Sequence, residues 1–416
     1  MTHTADVVVV GAGIAGVSVA YQLAVRHRVG AVALVDPRPP LTLSSDKSTE
    51  CYRNWWPDAP MVGLMNHSID LFEELATQTD FGLSRKGYLF VTADPDRLAA
   101  MGRQAAEVES LGADADVLDA ADLRAGHPFL TDEAMGGVFV PRAGWFRAQD
   151  LGRWMLERAR ERGTRLIRET VTSIGTGEVG LSDGTTISCG DVVIAVGPMA
   201  RQAGAMAGLD LPLFSELHLK VAFRDHLGVV PRDAPMTIWS DPQRIDWSDE
   251  ERDGLAKSGR DDLLGQMPVF CHFRPEGGAD SPYVLALWEY HDMVLEPTWP
   301  LPEDPLYPEV VLRGLTTMVP GLAAYRHALP ESTVDGGYYT KTTENRPLIG
   351  PSGRDGIHLL VGLSGFGVMV SAGAADLVAR HILGLDLPDY AGPFLLGRYD
   401  DPSYLRGLET IESGQL

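Results

Sequence analysis

The first 36 residues constrain the fold of this chain more than any other stretch. Four valines at 7–10 lead into the turn GAGIAG, and a second apolar run over 31–35 is followed by Asp36. This is the dinucleotide-binding pattern of a βαβ unit. Gly11 makes the tight turn, Gly13 lets a pyrophosphate approach, Gly16 packs helix on strand, and the acid accepts a hydrogen bond from a ribose hydroxyl. The pattern predicts two strands and, from Ile14 to about residue 26, a helix whose N-terminus attracts phosphate.

Composition narrows the class of protein. The chain has 416 residues, of which 44% are hydrophobic and 22% charged, so a folded globular protein with two domains or one large α/β unit is expected. A formal net charge of −22 argues against nucleic acid as a partner. Cys51, Cys189 and Cys271 are far apart, which predicts reduced thiols, no metal site and a cytoplasmic location. No apolar run reaches membrane-spanning length, and the early first strand leaves no room for a signal peptide.

Further segments indicate how the chain is divided. Apolar strands are predicted over 191–197 and 357–367, the second followed by a helix to about residue 383. Alternating patterns at 218–225 and 281–292 favour antiparallel strands with one face toward a cavity. Helices are predicted over 149–163 and within 94–123. The charged stretch 241–264 is predicted to be a surface excursion, with an interrupted helix as the alternative.

These segments predict an α/β fold with a discontinuous, Rossmann-like nucleotide-binding domain and an inserted, mostly antiparallel β-sheet domain for the substrate. The first domain is assigned to residues 1–80, 146–200 and 335–395, the second to 81–145 and 201–334, and a C-terminal tail to 396–416. Only one dinucleotide pattern is present, whereas an enzyme that moves hydride between NAD(P)H and flavin on one chain usually needs two. The single site is therefore predicted to hold FAD, with the substrate supplying the electrons.

Several stretches, taken together and in this order, resemble the D-amino-acid-oxidase-like family of FAD oxidoreductases, which includes glycine oxidase and monomeric sarcosine oxidase. They are VVVVGAGIAGVSVAYQLA at 7–24, LVD at 34–36, GGVFVPRAGWFRAQDL at 136–151, VVIAVGP at 192–198, NRPLIGP at 345–351 and VGLSGFGVMVSAGAADLVA at 361–379. The resemblance implies the GR2 type of FAD-binding domain. It does not fix the substrate.

The resemblance also implies which residues bind FAD. The glycine corner at 362–368 would place a helix N-terminus against the flavin pyrimidine edge, where negative charge develops on reduction; a plain strand-to-helix turn is the alternative. The loop at 44–49 would wrap the flavin, with a solvated loop as the alternative. The predicted FAD-binding residues are Gly11, Gly13, Ile14, Ala15, Gly16, Asp36, Arg38, Ser44, Ser45, Ser48, Thr49, Val171, Gly197, Gly362, Gly365, Phe366, Gly367, Val368 and Met369.

The chain departs from the family pattern at several positions. Covalent-flavin members have a cysteine where this chain has Gly337 or Tyr338, so noncovalent FAD is expected. Sarcosine-oxidase-like members have a lysine at the position of Met369 and an oxygen-activating lysine where this chain has Leu287 or Trp288. The arginine of glycine-oxidase-like members falls near Tyr339. A small glycine-like zwitterion is therefore less expected as the substrate.

Five residues are predicted to carry the chemistry. Arg53 matches an arginine that pairs with the substrate carboxylate in the family, and a structural ion pair is the alternative. Trp288 and Tyr339, with other aromatic residues, are predicted to wall the pocket or to lie in the core. Lys341 supplies a positive charge beside the flavin or lies at the surface. Either His291 or Glu289 bonds the substrate; the alternatives are a satisfied buried histidine and an outward-facing glutamate.

The leading hypothesis is an enzyme that oxidises a C–N bond of an amino acid or of a secondary or cyclic amine by hydride transfer to flavin N5. The amine must arrive unprotonated, which predicts activity that rises with pH. Reoxidation by O2 is expected, with a protein or quinone acceptor as the alternative. Two other functions remain open: a 2-hydroxy-acid dehydrogenase with His291 as the base, and a flavoprotein module without turnover.

Overall fold

The computed structural model describes residues 2–291 and 293–408. These residues form the following strands: β1 Thr2–Val10, β2 Val32–Val35, β3 Cys51–Tyr52, β4 Tyr88–Thr92, β5 Asp116–Asp119, β6 Gly136–Val140, β7 Gly144–Trp145, β8 Arg165–Ile167, β9 Val171–Gly175, β10 Glu178–Leu181, β11 Thr186–Ile194, β12 Phe214–Arg224, β13 Met236–Trp239, β14 Cys271–Glu276, β15 Tyr283–Leu287, β16 Ser332–Lys341, β17 Leu348–Pro351 and β18 Ile357–Val361. The α-helices are α1 Ile14–Tyr21, α2 Ala59–Ala76, α3 Pro95–Ser110, α4 Ala120–Gly126, α5 Ala148–Glu161, α6 Ala200–Met206, α7 Asp249–Lys257, α8 Tyr307–Met318, α9 Gly367–Leu383 and α10 Pro402–Leu408.

The first sheet is the nucleotide-binding sheet that the opening pattern predicts. Its strand order is β17-β18-β11-β1-β2-β8, with β10 and β9 added at β11. The strands β18, β11, β1, β2 and β8 pair in parallel, so their carboxyl ends lie at one edge of the sheet. Strand β1 has buried valines at every position from 7 to 10, as expected of a parallel strand covered on both faces.

The second sheet has the order β16-β12-β15-β14-β13-β4-β6-β5. Its pairs are antiparallel except for β13 with β4, so the prediction of a mostly antiparallel inserted sheet is confirmed. The predicted division at residue 335 falls inside β16, which pairs with β12 along its whole length. The residues of β16 therefore lie with the second sheet, because backbone pairing continues through that boundary.

Two further expectations need correction. The stretch 241–264 is more than a surface excursion: it contains α7 and buries the side chains of Trp247 and Leu263 in the core beside the second sheet. The predicted tail contains α10, and its Arg398 side chain is buried against Glu344. The last part of that prediction, residues 409–416, lies outside the described residues.

Helices α1, α5, α2 and α9 pack together beside the first sheet. Helices α2 and α9 approach closely because Gly373 has no side chain, and its N–H donates to Ser68 Oγ at 2.9 Å. Every helix in the described part of the chain is too short or too polar to cross a bilayer.

Candidate active site

The carboxyl ends of four parallel strands open onto one cavity of about 380 Å³. Strands β1, β2, β11 and β18 each lead directly into its wall, at Gly11, Asp36, Gly197 and Gly362 respectively. Strands β12, β15 and β16 of the second sheet supply the opposite wall. The cavity therefore lies at the edge of a parallel sheet where α/β proteins bind ligands, with the inserted sheet closing over it.

The glycine turn is held too tightly for side chains. Gly11 has a φ of +101°, and a Cβ there would lie 2.4 Å from the carbonyl oxygen of Ala195. A Cβ at Gly16 would lie 1.8 Å from the carbonyl oxygen of Gly11. Helix α1 therefore begins directly against the turn at the cavity wall, where the N–H of Ile14 donates to Ser45 Oγ at 2.9 Å.

Asp36 is fixed at the end of β2. Its Oδ2 accepts from the N–H of Ala12 and its Oδ1 from the N–H of Arg38, each at 2.9 Å. A carboxylate oxygen accepts more than one hydrogen bond. Both oxygens therefore keep capacity for a ribose hydroxyl.

The second helix N-terminus at the cavity is that of α9. This helix begins at Gly367, and no side chain caps its first turn. Gly362, with a φ of +71°, makes the turn that leads from β18 toward it. Helices α1 and α9 thus both begin at the cavity wall and both offer N–H groups and the positive end of a helix dipole.

These donors suit FAD. A pyrophosphate is matched by the N-terminus of α1, and a flavin whose pyrimidine gains negative charge is matched by the N-terminus of α9. Lys220 also lines the cavity, where its Nζ donates to the carbonyl oxygen of Ser48 at 3.0 Å and burial lowers its pKa.

All but three of the predicted FAD-binding residues line this cavity. The three exceptions are buried beside it. Gly16 packs on Gly11, Phe366 lies edge-on to Trp56 with ring centroids 5.0 Å apart, and Met369 belongs to the core. The structure thus brings the opening turn, the 44–49 loop and the glycine corner to one place. Their contacts with FAD remain predictions.

Of the predicted catalytic residues, Tyr339 lines the cavity and Trp288 does not. Trp288 is fully buried, and its indole N–H donates to the carbonyl oxygen of Pro268 at 3.0 Å. Successive side chains of a strand point to opposite faces. Leu287 therefore takes the place at the cavity wall, while Trp288 packs against Gly314 of α8.

His291 also lies away from the cavity. Strand β15 ends at Leu287, so the alternation that suggested an inward direction does not extend to His291. Its Nε2 lies 3.0 Å from Asp304 Oδ2, an aspartate whose pKa is lowered because His291 and Arg260 outweigh its burial. His291 thus has a satisfied structural role here.

Lys341 and Arg53 are buried and are not among the residues that line the cavity. Lys341 is only 5% exposed, which excludes the surface alternative, and its Nζ lies 2.7 Å from Glu216 Oε2. Arg53 is 4% exposed, with its guanidinium 4.7 Å from the ring centroid of Trp56 and its Nε donating to the carbonyl oxygen of Trp55. Burial lowers the pKa of Arg53, although an arginine stays charged in proteins.

The sequence-based prediction missed His218, which lines the cavity on β12. Its ring stacks on that of Tyr339 with centroids 3.9 Å apart and planes at 15°. It lies between Glu216 and Glu289, and we call Glu216, His218, Glu289 and Lys341 the acid–histidine cluster. The available signal was a histidine within a predicted, half-buried strand.

The model of the family described as FAD dependent oxidoreductase (DAO) matches residues 6–381. The chain belongs to this family. FAD is therefore its cofactor, as the opening pattern predicted.

Relatives from this family match part of the chain. Glycine oxidase of Geobacillus kaustophilus is 29% identical over 234 residues, which is 51% of this chain and 60% of that protein. Mitochondrial sarcosine dehydrogenase of Mus musculus is 27% identical over 240 residues, 53% of this chain and 26% of that protein. The matched region thus spans less than two thirds of either relative.

Solved structures of the family share the fold over nearly the whole chain. L-proline dehydrogenase from P. horikoshii superposes with a TM-score of 0.78 at 21% identity, covering 96% of this chain and 99% of that one. Glycine oxidase from Geobacillus kaustophilus superposes with a TM-score of 0.76 at 19% identity, covering 95% of this chain and 98% of that one. Iminodiacetate oxidase from Chelativorans sp. BNC1 gives 0.69 at 21%, covering 94% and 98%.

Proposed function

We propose that this FAD-dependent oxidoreductase oxidises a C–N bond of an amino acid or of a secondary or cyclic amine, and that O2 reoxidises its flavin. The observation that carries the proposal is one cavity that is bounded by the N-termini of α1 and α9 and is lined by the stacked rings of Tyr339 and His218. The similarity of this chain to proteins named glycine oxidase, L-proline dehydrogenase and iminodiacetate oxidase supports an amine substrate.

Each part of the cavity has a task in this reaction. Asp36 holds the ribose, and the first N–H groups of α1 hold the pyrophosphate. The N-terminus of α9 stabilises negative charge at the flavin pyrimidine. When bound, FAD would supply the redox chemistry as the hydride acceptor. The protein supplies position, so that the substrate Cα–H is held at reacting distance, and water hydrolyses the released imine or leaves it intact if it is cyclic.

Tyr339 is the proposed substrate contact. Arg53, the residue predicted to pair with a substrate carboxylate, is buried, does not line the cavity, and has its guanidinium 4.7 Å from the ring centroid of Trp56. Tyr339 lines the cavity and stacks on His218 of the acid–histidine cluster. Burial raises the pKa of its phenol, so that the ring stays neutral. The hydroxy-acid alternative depended on His291, which is bonded to Asp304 instead.

Anaerobic mixing of the FAD-loaded protein with a substrate panel tests this proposal. The panel holds glycine, sarcosine, L-proline and iminodiacetate, with lactate and glycolate as matched hydroxy acids. We expect at least one amine to bleach the flavin band and air to restore it. Bleaching by hydroxy acids alone, or by nothing in the panel, contradicts amine oxidation. Recovery only with an added quinone contradicts O2 as the acceptor.

A further inference from the structure

Few side chains on the cavity wall carry a charge at every pH near neutrality. Among the described residues that line the cavity, these are Asp36, Arg38, Lys47 and Lys220. His218 lines it too, but is charged only when protonated. Asp36 and Arg38 follow β2, at the end of the cavity predicted to hold the ribose. Lys47 and Lys220 are therefore the lysines left for the flavin end.

The two lysines differ in how their charge is compensated. Lys47 Nζ lies 2.8 Å from Asp46 Oδ2 and 3.0 Å from Asp335 Oδ2. The Nζ of Lys220 instead donates to a neutral group, the carbonyl oxygen of Ser48, at 3.0 Å. Within the described part of the chain, no carboxylate forms an ion pair with Lys220. Its positive charge is therefore less compensated than that of Lys47.

More distant charges also act on Lys220. Burial, the largest effect, lowers its pKa, and the carboxylates of Asp335 and Glu50 raise it. Arg274 and Lys47 oppose its charge as well, but each is paired with a carboxylate of its own. Neither Asp335 nor Glu50 is among the described residues that line the cavity. These two carboxylates therefore favour the charged form of Lys220, while Lys220 itself lines the wall.

Lys220 belongs to the wall that the second sheet supplies. The pairing of Val221 with Ala286 places Lys220 beside Leu287, and both Lys220 and Leu287 line the cavity. The N-terminus of α9 lies in the wall that the first sheet supplies. The cavity that receives FAD thus has the positive end of a helix dipole in one wall and a lysine in the other.

We propose that Lys220 stabilises the negative charge that the flavin gains on reduction, and so raises the reduction potential of the bound FAD. Hydride transfer breaks the substrate C–H bond and brings its electron pair and proton to the flavin, which adds one negative charge, while the amine becomes a cationic imine. Opposite charges attract more strongly in a partly buried site than in water. A lysine is a compact point charge, which adds to the partial charge of the α9 N-terminus. The proposal needs bound FAD but no particular substrate.

The test measures the midpoint potential of the FAD-loaded protein, by stepwise reduction with dithionite beside reference dyes. K220Q keeps a hydrogen-bond donor without the charge, and K220R keeps both. We expect K220Q to stabilise the reduced flavin about tenfold less than wild type, which for a two-electron couple lowers the midpoint potential by about 30 mV. K220R should stay near the wild-type value. K257Q, which removes an exposed lysine of α7, is the control for net charge and should match wild type.

The variants separate charge from packing. Equal potentials of K220Q and wild type overturn the proposal. An equal fall in K220Q and K220R also overturns it, because that result indicates a displaced 44–49 loop and not a lost charge. A fall in K220Q alone supports the proposal. If no amine of the panel bleaches the flavin and the potential still falls in K220Q alone, the role of Lys220 stands and the proposed function is contradicted.

A second readout uses the wild-type protein and applies even if K220Q fails to retain FAD. Stabilisation is reciprocal, so reduced flavin must favour the charged form of Lys220 by the same factor. The chain has five lysines, so ¹³C-labelled lysine gives few signals, and the one missing from K220R belongs to Lys220. That signal should titrate about one pH unit higher after reduction with dithionite, the equivalent of tenfold. An unchanged titration of Lys220, or a change at Lys47 alone, overturns the proposal.

Discussion

Helix α1 packs closely on the glycine turn because Gly16 has no side chain. A Cβ at Gly16 would collide with backbone atoms of Gly11. Backbone atoms cannot rotate out of the way as the end of a flexible side chain can. Helix and strand must then move apart, which shifts the N–H groups at the cavity wall. A residue outside the cavity thus controls the geometry inside it.

We expect Gly16→Ala to lower the free energy of unfolding by roughly 2–3 kcal/mol, the cost of overpacking a tight site, and to weaken FAD retention. The matched control is Gly102→Ala in α3, where no atom lies within 4 Å of the added Cβ. The control should stabilise the protein slightly, since alanine is the better helix former. Chemical denaturation and the ratio of flavin to protein absorbance measure both effects. Equal behaviour of the two variants contradicts the close-contact explanation.

His218 gives a stability prediction whose sign depends on pH. Its pKa is raised in the folded protein, so its ion pairing stabilises the fold fully below the unfolded value of about 6.5 and is lost as pH rises through the folded value. The stability difference between wild type and His218→Gln should therefore be larger at pH 6 than at pH 9, as measured by urea unfolding.

His272 is the matched control for this prediction. Burial lowers its pKa, and its Nδ1 lies 2.7 Å from the carbonyl oxygen of Phe270. A histidine whose pKa is lowered by folding contributes stability at pH values above its pKa in the unfolded chain. That contribution is lost as pH falls. The difference between wild type and His272→Gln should accordingly shrink toward acid pH. If both variants show the same pH trend, the charge states assigned to His218 and His272 are contradicted.

At the scale of elements, the predictions that held were local. A valine run, a glycine turn and helical periodicity are encoded within a few residues, so β1, α1, α5 and α9 were predicted near their observed places. The residue at which a strand ends is not encoded locally in the sequence. Strand β15 ends at Leu287, where its pairing with β14 also ends. His291 lies beyond that end and bonds to Asp304.

The same limit applies to the cavity. Most of the predicted FAD-binding residues line it, because motifs identify them, but His218 had no motif of its own. Its role depends on Glu289 and Lys341, which lie more than 60 residues away along the chain and reach it through strand pairing. A cluster assembled across three strands cannot be found from spacing in the sequence.

The C-terminal segment shows how an apparently polar tail becomes part of the fold. Arg398 is paired with Glu344 at 2.7 Å, and both side chains are at most 6% exposed. The hydroxyls of Tyr399 and Tyr404 also donate to Glu344. This segment therefore holds the connection between β16 and β17, which precedes the glycine corner.

Breaking this ion pair should be costly. Arg398→Met leaves Glu344 buried without its charge partner, and we expect the free energy of unfolding to fall by about 3 kcal/mol. Adding Glu344→Gln should recover part of the loss, because the unpaired charge is then removed. The exposed Arg406→Met in α10 is the control and should change stability by less than about 0.5 kcal/mol. Chemical denaturation of the four proteins gives the answer; no recovery in the double variant contradicts a buried ion pair.

At the scale of the whole molecule, the cavity lies between the two sheets, so the cofactor is expected to join them. A ligand that binds only the folded protein stabilises it by about 2.7 kcal/mol at a hundredfold excess over its Kd. Gly337 and Tyr338 provide no thiol to which the flavin could be attached. FAD should therefore be removable without breaking a covalent bond, which gives an apoprotein for comparison.

We expect FAD to raise the thermal midpoint of this apoprotein more than FMN does, because FMN lacks the AMP half that is predicted to contact Asp36 and the turn at 11–16. Asp36→Asn weakens the acceptor for the ribose while keeping the size of the side chain. It should reduce the gain from FAD and leave the gain from FMN unchanged. Thermal unfolding of wild-type and variant apoprotein with each flavin measures the four gains. Equal gains from FAD and FMN, or an equal loss of both in the variant, would mean that the opening glycine turn does not hold the dinucleotide.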